Sequence, residues 1–345
     1  MTSHLLQEVS AGLAEALVLT LGVEFHNLQA STSFHYHIID LGTLGGNDSF
    51  AYDINDAGIV VGWSKPSGNS ASHSFVWEKG QMADLGTLPN SISSVARGIN
   101  NSAEVVGTSE NSKGKNQANI WRNRHIRVLA QLPGSTNSFA YDINDRGTVV
   151  GSVSTGQGEY HPVEWNKNQV VDLGTLGGTN GSASAINNAG EIVGTSKTTT
   201  GESHAFKWVK GKLTDLGTLS GGRNSYAYSI NDTGAVVGTA NMGQGKFHAV
   251  LWKNGTVRDL GTLAGDTSSS ASAINNRGLI VGHSNSRAVV WRNGTVTDLN
   301  SLLPANSGWK LVSAKAINNR GEIVGYGEHN GQERVFLLTP VRVTQ

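Results

Sequence analysis

The sequence predicts an all-β chain: a seven-bladed β-propeller of four-stranded antiparallel blades, closed by N- and C-terminal strands in one blade. Three observations predict it: a tandem period, the strand and turn content of one period, and complementary half-units at the two ends. The dipeptide Ile-Asn begins at Ile54, Ile99, Ile143, Ile186, Ile230, Ile274 and Ile317, in steps of 45, 44, 43, 44, 44 and 43 residues. A regular period of this length marks one supersecondary unit copied in tandem, and about 40–50 residues is the size of a propeller blade. Composition agrees, since 44 glycines in 345 residues is nearly twice the average share, and 15% charged residues is well below it. No unit carries a long run of 3.6-residue periodicity, which excludes a helical solenoid, and the unit is too long for one coil of a β-helix.

The fourth unit shows the elements in order. Residues 182–187 read Ser-Ala-Ser-Ala-Ile-Asn, residues 191–196 Glu-Ile-Val-Gly-Thr-Ser, residues 204–208 His-Ala-Phe-Lys-Trp, and residues 213–219 Leu-Thr-Asp-Leu-Gly-Thr-Leu. These are four short runs rich in strand formers, each bounded by Gly or Asn, and they predict a four-stranded meander. The first turn, Asn-Asn/Asp-x-Gly, puts Gly58, Gly147, Gly190, Gly234, Gly278 and Gly321 where a type I turn with a bulge needs positive φ. The second unit has Ala103 in that slot, so a different turn is expected there. Between the third and fourth strands, Asn254-Gly255 and Asn293-Gly294 are hairpin signals.

Residues 35–44 form a fourth strand without its first three, and the last unit offers three strands without a fourth. Pairing residues 36–44 with 334–339 completes the seventh blade from both ends and removes an exposed edge. The domain expected is therefore 34–345, preceded by a separate segment, 1–33.

Taken together, the recurring His-Ala-Phe-x-Trp, Asp-Leu-Gly-Thr-Leu-Gly-Gly and Ile-Asn-x-x-Gly-x-Ile-Val-Gly resemble the HAF-repeat, or probable extracellular repeat, proteins of bacteria. The resemblance covers residues 36–339, with three motifs recurring in fixed order. It implies an export-linked, propeller-like protein and little chemistry, the family being named for its repeat. By analogy with other propellers, the Ala-x-x-Ile-Asn strand is placed innermost and the Asp-Leu-Gly-Thr-Leu strand outermost.

Residues repeated in nearly every copy are read as structural. The column Trp77, Trp121, Trp165, Trp208, Trp252 and Trp291 is assigned to packing between blades, over an aromatic ladder for sugars. His73, His161, His204 and His248 recur four residues before Trp. Third-strand positions of different blades are spread around a ring and cannot converge on one metal ion, so these are read as hydrogen-bonded structural imidazoles. Asp40, Asp84, Asp172, Asp215, Asp259 and Asp298 are read as inter-strand acceptors or turn formers.

Function is sought where the copies differ. Two residues before each Ile stand Tyr52, Arg97, Tyr141, Ser184, Tyr228, Ser272 and Lys315; four before it stand Phe50, Val95, Phe139, Ser182, Tyr226, Ser270 and Ser313. Directly before Ile, only Asp53 and Asp142 are acidic. Innermost strands begin near one mouth of a propeller channel, so Phe50, Tyr52, Asp53, Arg97, Phe139, Tyr141, Asp142, Tyr226, Tyr228 and Lys315 form the candidate ligand site, a mixed aromatic and polar rim suited to a glycan, peptide or protein surface. The competing reading of the aromatics is space-filling between blades. Trp63 and Trp309, out of register with the Trp column, are further ligand candidates.

The function expected is a non-enzymatic, extracytoplasmic binding or scaffold propeller. Two rivals stand beside it: a polysaccharide- or peptide-acting hydrolase or lyase using Asp53 or Asp142 as acid or base with Arg97 or Lys315 stabilising charge, and a purely structural surface repeat. No Gly-x-Ser-x-Gly elbow, His-Glu-x-x-His or Ser-x-x-Lys set occurs. No cofactor or metal is expected; the Gly-rich segments 45–48, 134–137, 177–180, 221–224 and 265–266, read as tight loops entering the mouth, leave room at most for weak calcium binding. With 26 Lys and Arg against 26 Asp and Glu, the chain lacks the long-range field of a nucleic-acid binder, so no nucleic-acid partner is expected. Absence of Cys removes disulfides, thiolate metal sites and a Cys nucleophile. Within 1–33 the apolar run 11–23 is too short to span a bilayer; a degenerate signal peptide and a short amphipathic helix both fit it, and an extracellular or periplasmic location is expected.

Overall fold

The computed structural model describes residues 34–342 except 69–70, 124, 157 and 244; the segment 1–33, with the leader expected there, lies outside the described residues. The body His35–Val341 consists of seven four-stranded antiparallel sheets. In the fourth, Gly177–Ile186, Ile192–Thr198, Ser203–Val209 and Lys212–Asp215 follow one another as a meander. The seventh is built from both ends: Trp309–Ile317, Ile323–His329 and Gln332–Arg342 are joined at the outer edge by Phe34–Asp40. This is the closure expected from the half-units, and among the described residues it leaves no strand without a paired neighbour.

Apolar side chains bury themselves between blades as well as within them. Each of the seven core clusters draws on two neighbouring blades; one joins Ala185 and Val193 of blade 4 to Ala227, Val236 and Trp252 of blade 5, and another joins Val324 and Val335 of blade 7 to Ala51, Val60 and Trp77 of blade 1. The Trp column packs at these interfaces, as expected. The indole N–H of Trp121 donates to the Leu85 carbonyl at 2.9 Å and that of Trp165 to the Ala130 carbonyl at 2.7 Å, each reaching the preceding blade.

The His and Asp columns satisfy each other. His73, His161, His204 and His248 hold Asp84, Asp172, Asp215 and Asp259 through Nδ1···Oδ2 contacts of 2.6–2.8 Å. The second oxygen of each Asp accepts the N–H of a glycine two residues on, turning the chain out of the sheet. One residue pair thus joins the third strand to the outer strand and shapes the exit turn.

Asparagine closes the ring at one mouth. Asn55 Nδ2 donates to the Asn100 carbonyl, and the same bond runs from Asn100 to Asn144, then Asn187, Asn231, Asn275 and Asn318, whose Nδ2 returns to the Asn55 carbonyl, all at 3.0–3.1 Å. Outside it runs a second cycle, in which the backbone N–H of Asp56, Asn101, Asp145, Asn188, Asp232, Asn276 and Asn319 each donates to Oδ1 of the next member, at 2.8–2.9 Å. Both cycles close across 263 residues of sequence. These residues surround a small polar cavity of about 160 Å³, which places the Ala-x-x-Ile-Asn strand innermost.

The turn at Ala103 corrects an expectation. Ala103 adopts φ 57° and donates to the Asn100 carbonyl, the bond its glycine counterparts make. Oδ1 of Asn100 accepts from Ser102 and Glu104 N–H, so the turn is held from inside while the left-handed alanine costs about 1–2 kcal/mol.

Candidate functional site

Every inner strand carries a β-bulge at the same place. The register with the second strand slips between Ala51 and Asp53, Ala96 and Gly98, Ala140 and Asp142, Ala183 and Ala185, Ala227 and Ser229, Ala271 and Ala273, and Ala314 and Ala316. The extra residue is Tyr52, Arg97, Tyr141, Ser184, Tyr228, Ser272 or Lys315, the variable position itself. A bulge re-aims a side chain, and all seven line one cavity of about 490 Å³, completed by Phe50, Ser182, Ser270 and His283.

The bulge also explains the glycine of Ile-Val-Gly. A Cβ on Gly62, Gly107, Gly151, Gly194, Gly238, Gly282 or Gly325 would run into the carbonyl of the inner-strand residue four before Ile, such as Phe50 or Ser182. A flanking alanine, Ala51 in blade 1 and its equivalents, is buried in every blade. Scaffold residues are therefore constant around a position free to vary.

Of the predicted residues, Phe50, Tyr52, Arg97, Tyr141, Tyr228 and Lys315 meet in the cavity. Tyr226 lines an adjoining cavity between blades 5 and 6 with Phe247 and His283. Phe139 stacks behind Tyr141, ring centroids 6.4 Å apart. Gly45–Asp48 and Gly177–Asn180 belong to the inner strands rather than to loops. Trp63 faces Phe50 across the strand pair, and Trp309 stacks on His329 at 4.6 Å with Phe336 at its edge, so neither lines the mouth.

Asp53 and Asp142 are corrected. Neither lines the cavity. Asp53 Oδ1 accepts from Ile54 N–H and Oδ2 from Ile99 N–H of the next blade, at 2.8 and 3.0 Å; Asp142 does the same with Ile143 and with Ile186 of blade 4, at 2.8 and 2.9 Å. They are braces between inner strands. Burial pushes the Asp53 carboxyl up to about 8, helped by the Asp142 charge, and pushes Asp142 up to about 6, the N–H bonds opposing in both. Gly98, in blade 2 between them, has no room for a Cβ against the Asp142 backbone.

The cavity is electrostatically one-sided. Arg97 Cζ lies 4.6 Å from the Tyr52 ring centroid and 5.5 Å from that of Tyr141. Lys315 Nζ lies 5.5 Å from Phe50 and 5.4 Å from Tyr326. Burial holds Lys315 below the ordinary lysine range, and burial followed by the Lys315 charge lowers His283. Burial and the nearby Tyr226 push the Tyr228 phenol up to about 12, so it stays a neutral donor. His283 and Tyr326 escaped the sequence reading, although they follow the constant glycine of the second strand, where the copies read Trp63, Thr108, Ser152, Thr195, Thr239, His283 and Tyr326. Among the described residues no three His, Asp or Glu are grouped to hold a metal ion, and no helix is long and apolar enough to cross a membrane.

No known family model and no curated protein sequence matches the chain. Solved structures do match. TolB from Acinetobacter baumannii superposes with a TM-score of 0.50 at 12% identity, over 81% of this chain and 63% of that one. A puromycin-hydrolyzing peptidase of Mycobacterium tuberculosis gives 0.58 at 11%, over 86% of this chain and 51% of that one. The β-propeller domain of the Trilobed protease from Pyrococcus furiosus gives 0.53 at 8%, over 86% and 98%. The chain thus spans about half to two thirds of the first two proteins. At these identities the likeness establishes the propeller fold alone. The P. furiosus domain has an open velcro topology, whereas here the two chain ends share the closing sheet.

Proposed function

We propose that this protein is a non-enzymatic binding propeller of the HAF-repeat kind, acting outside the cytoplasm and recognising a glycan or peptide chain at the mouth formed by the bulge residues. One observation carries the reading: in seven otherwise matching blades the residue at the bulge varies in chemistry, and all seven copies face one cavity. A packing role favours the same residue in each copy, whereas one asymmetric ligand needs different ones. Aromatic faces, hydroxyls and two cations in about 490 Å³ are the usual contents of a binding pocket.

The hydrolase or lyase reading needs a carboxyl group free toward the ligand. Asp53 and Asp142 spend both oxygens on backbone N–H groups, which favours binding over turnover. The test is a glycan array and a peptide library probed with the full chain, with Tyr52→Ala/Tyr141→Ala as control, followed by product analysis of every hit. Binding lost in the control with no product formed is the expected result. Turnover of a hit overturns the non-enzymatic reading, and hits that the control retains move the site elsewhere.

A further inference from the structure

Several partly buried basic side chains elsewhere in the ring are matched with acids: Arg122 with Glu104, Lys207 with Glu191, Arg287 with Asp266 and Arg320 with Glu322. Arg97 and Lys315, inside the cavity, are not. Among the described residues no carboxylate lines their cavity and neither makes an ion pair. Each is held instead by aromatic faces, and the two flank the Phe50–Tyr52 pair of blade 1, whose ring centroids are 4.8 Å apart. Cation–π contact fixes a cation without neutralising it. Arg97 Nε is buried without an acceptor, so this donor is desolvated and unspent.

The facing wall has different chemistry. Blades 4 and 6 present Ser182, Ser184, Ser270 and Ser272, whose hydroxyls make no hydrogen bond among the described residues. A ligand that uses the whole cavity therefore carries an anion at one end, a flat C–H face against the rings, and hydroxyls at the other end. A bare phosphate or sulfate uses only the cations. An acidic peptide supplies carboxylates, and backbone amides for the serines, but its Asp and Glu side chains offer the rings no flat C–H face. A sugar acid supplies all three features in one ring.

Resting on the reading of the mouth as the ligand site, we propose that it binds an acidic sugar, with Arg97 and Lys315 receiving the carboxylate, the aromatic residues of blades 1 and 3 stacking on the ring, and the serines of blades 4 and 6 bonding its hydroxyls. Charge-assisted bonds to a carboxylate that are lost on neutralisation cost about tenfold or more in affinity. High salt weakens such binding, though less than it weakens exposed charge pairs.

The experiment is calorimetric titration of the full chain with uronic-acid trimers of the gluco, galacto and manno series, the same trimers reduced to neutral hexoses, and tri-glutamate. At least one acid trimer is expected to bind about tenfold or more tighter than its neutral form, with Arg97→Met and Lys315→Met each removing most of that difference. Thermal melts of both variants, expected to match the parent closely, separate loss of charge from loss of fold. Neutral trimers binding as tightly as the acids would overturn the carboxylate assignment while leaving the mouth a glycan site. Tri-glutamate matching the best acid trimer would overturn the sugar assignment. Failure of every probe overturns the proposal, and the array and peptide library then decide separately whether the mouth is a site at all.

Discussion

The two mouths of the channel are built from the same seven strands and obey opposite rules. At one, Ile-Asn is constant, and each Asn side chain hands a hydrogen bond to the next blade until the cycle closes on itself. At the other, the bulge is constant in geometry while its side chain runs from Ser to Tyr to Lys to Arg. The constant mouth satisfies buried polar groups identically at seven interfaces, which is a requirement of closure. The variable mouth satisfies no such common need. Repetition in this chain marks stability, and departure from repetition marks the candidate chemistry.

The sharpest way to break the comparison is to open the ring. Deleting residues 335–345 removes most of the strand that binds the first outer strand to the last blade, so Phe34–Asp40 loses the strand it pairs with. The expected outcome is loss of the single cooperative melt for all seven blades, read by calorimetry and circular dichroism. A truncated chain melting like the parent would mean that the ring closes through the Asn cycles alone.

Next in size is a single cut in the inner Asn cycle. Asn187 is buried; its amide donates to the Asn231 carbonyl and to Glu191, and its oxygen accepts from Ala189 and Glu191 N–H. Asn187→Ala strands several of these groups and is expected to cost about 3 kcal/mol in denaturant unfolding. Asn231→Ala should cost the same within about 1 kcal/mol, because its place in the cycle is equivalent. Unequal costs would mean that the cycle is uniform in geometry and not in energy.

How far the sequence reached follows the same division. Period, strand order and the structural role of the His and Asp columns were legible because each rests on local chemistry repeated many times, and closure because the two half-units complement each other. The failures sit where one unit departs or where the bulge intervenes. Ala103 keeps the turn because Asn100 holds it from within, a compensation no turn rule records. Asp53 and Asp142 were read as rim residues because they vary beside the Tyr slot; their carboxylates instead bond the backbone of their own and the neighbouring inner strand. The sign of the bulge was present as the glycine repeated in all seven second strands, and the residue after it would have led to His283 and Tyr326.

The braces give a pH test. The Asp53 carboxyl is raised from 3.8 to about 8 in the folded chain, and Asp142 to about 6, so the native state holds protons that the unfolded state has released. Their contribution to stability is full below about pH 4 and is lost as pH climbs toward 6 for Asp142 and 8 for Asp53. Denaturant unfolding across this range should show stability falling with pH, and Asp53→Asn should flatten the upper part of the decline. Ser229 already does this work in blade 5 with a neutral hydroxyl, accepting from Ile274 N–H at 3.4 Å. A neutral side chain at position 53 that left the slope unchanged would place the titration elsewhere.

The smallest expected effect on stability belongs to the variable mouth, and there the two regions are most clearly told apart. Tyr52 and Tyr141 are partly buried, touch Arg97 by their faces, and take part in no inter-blade cycle. Replacing both with Ala gives up some apolar contact and two cation–π contacts, about 1–2 kcal/mol in total, less than one Asn of the closed cycle. Ligand affinity, in contrast, should fall about tenfold or more, because the stacking surface and the support for Arg97 go together. If the double variant instead unfolded as readily as Asn187→Ala, the aromatic residues of blades 1 and 3 would belong with the packing columns. Variation at the bulge would then be repacking of a narrow channel and not recognition.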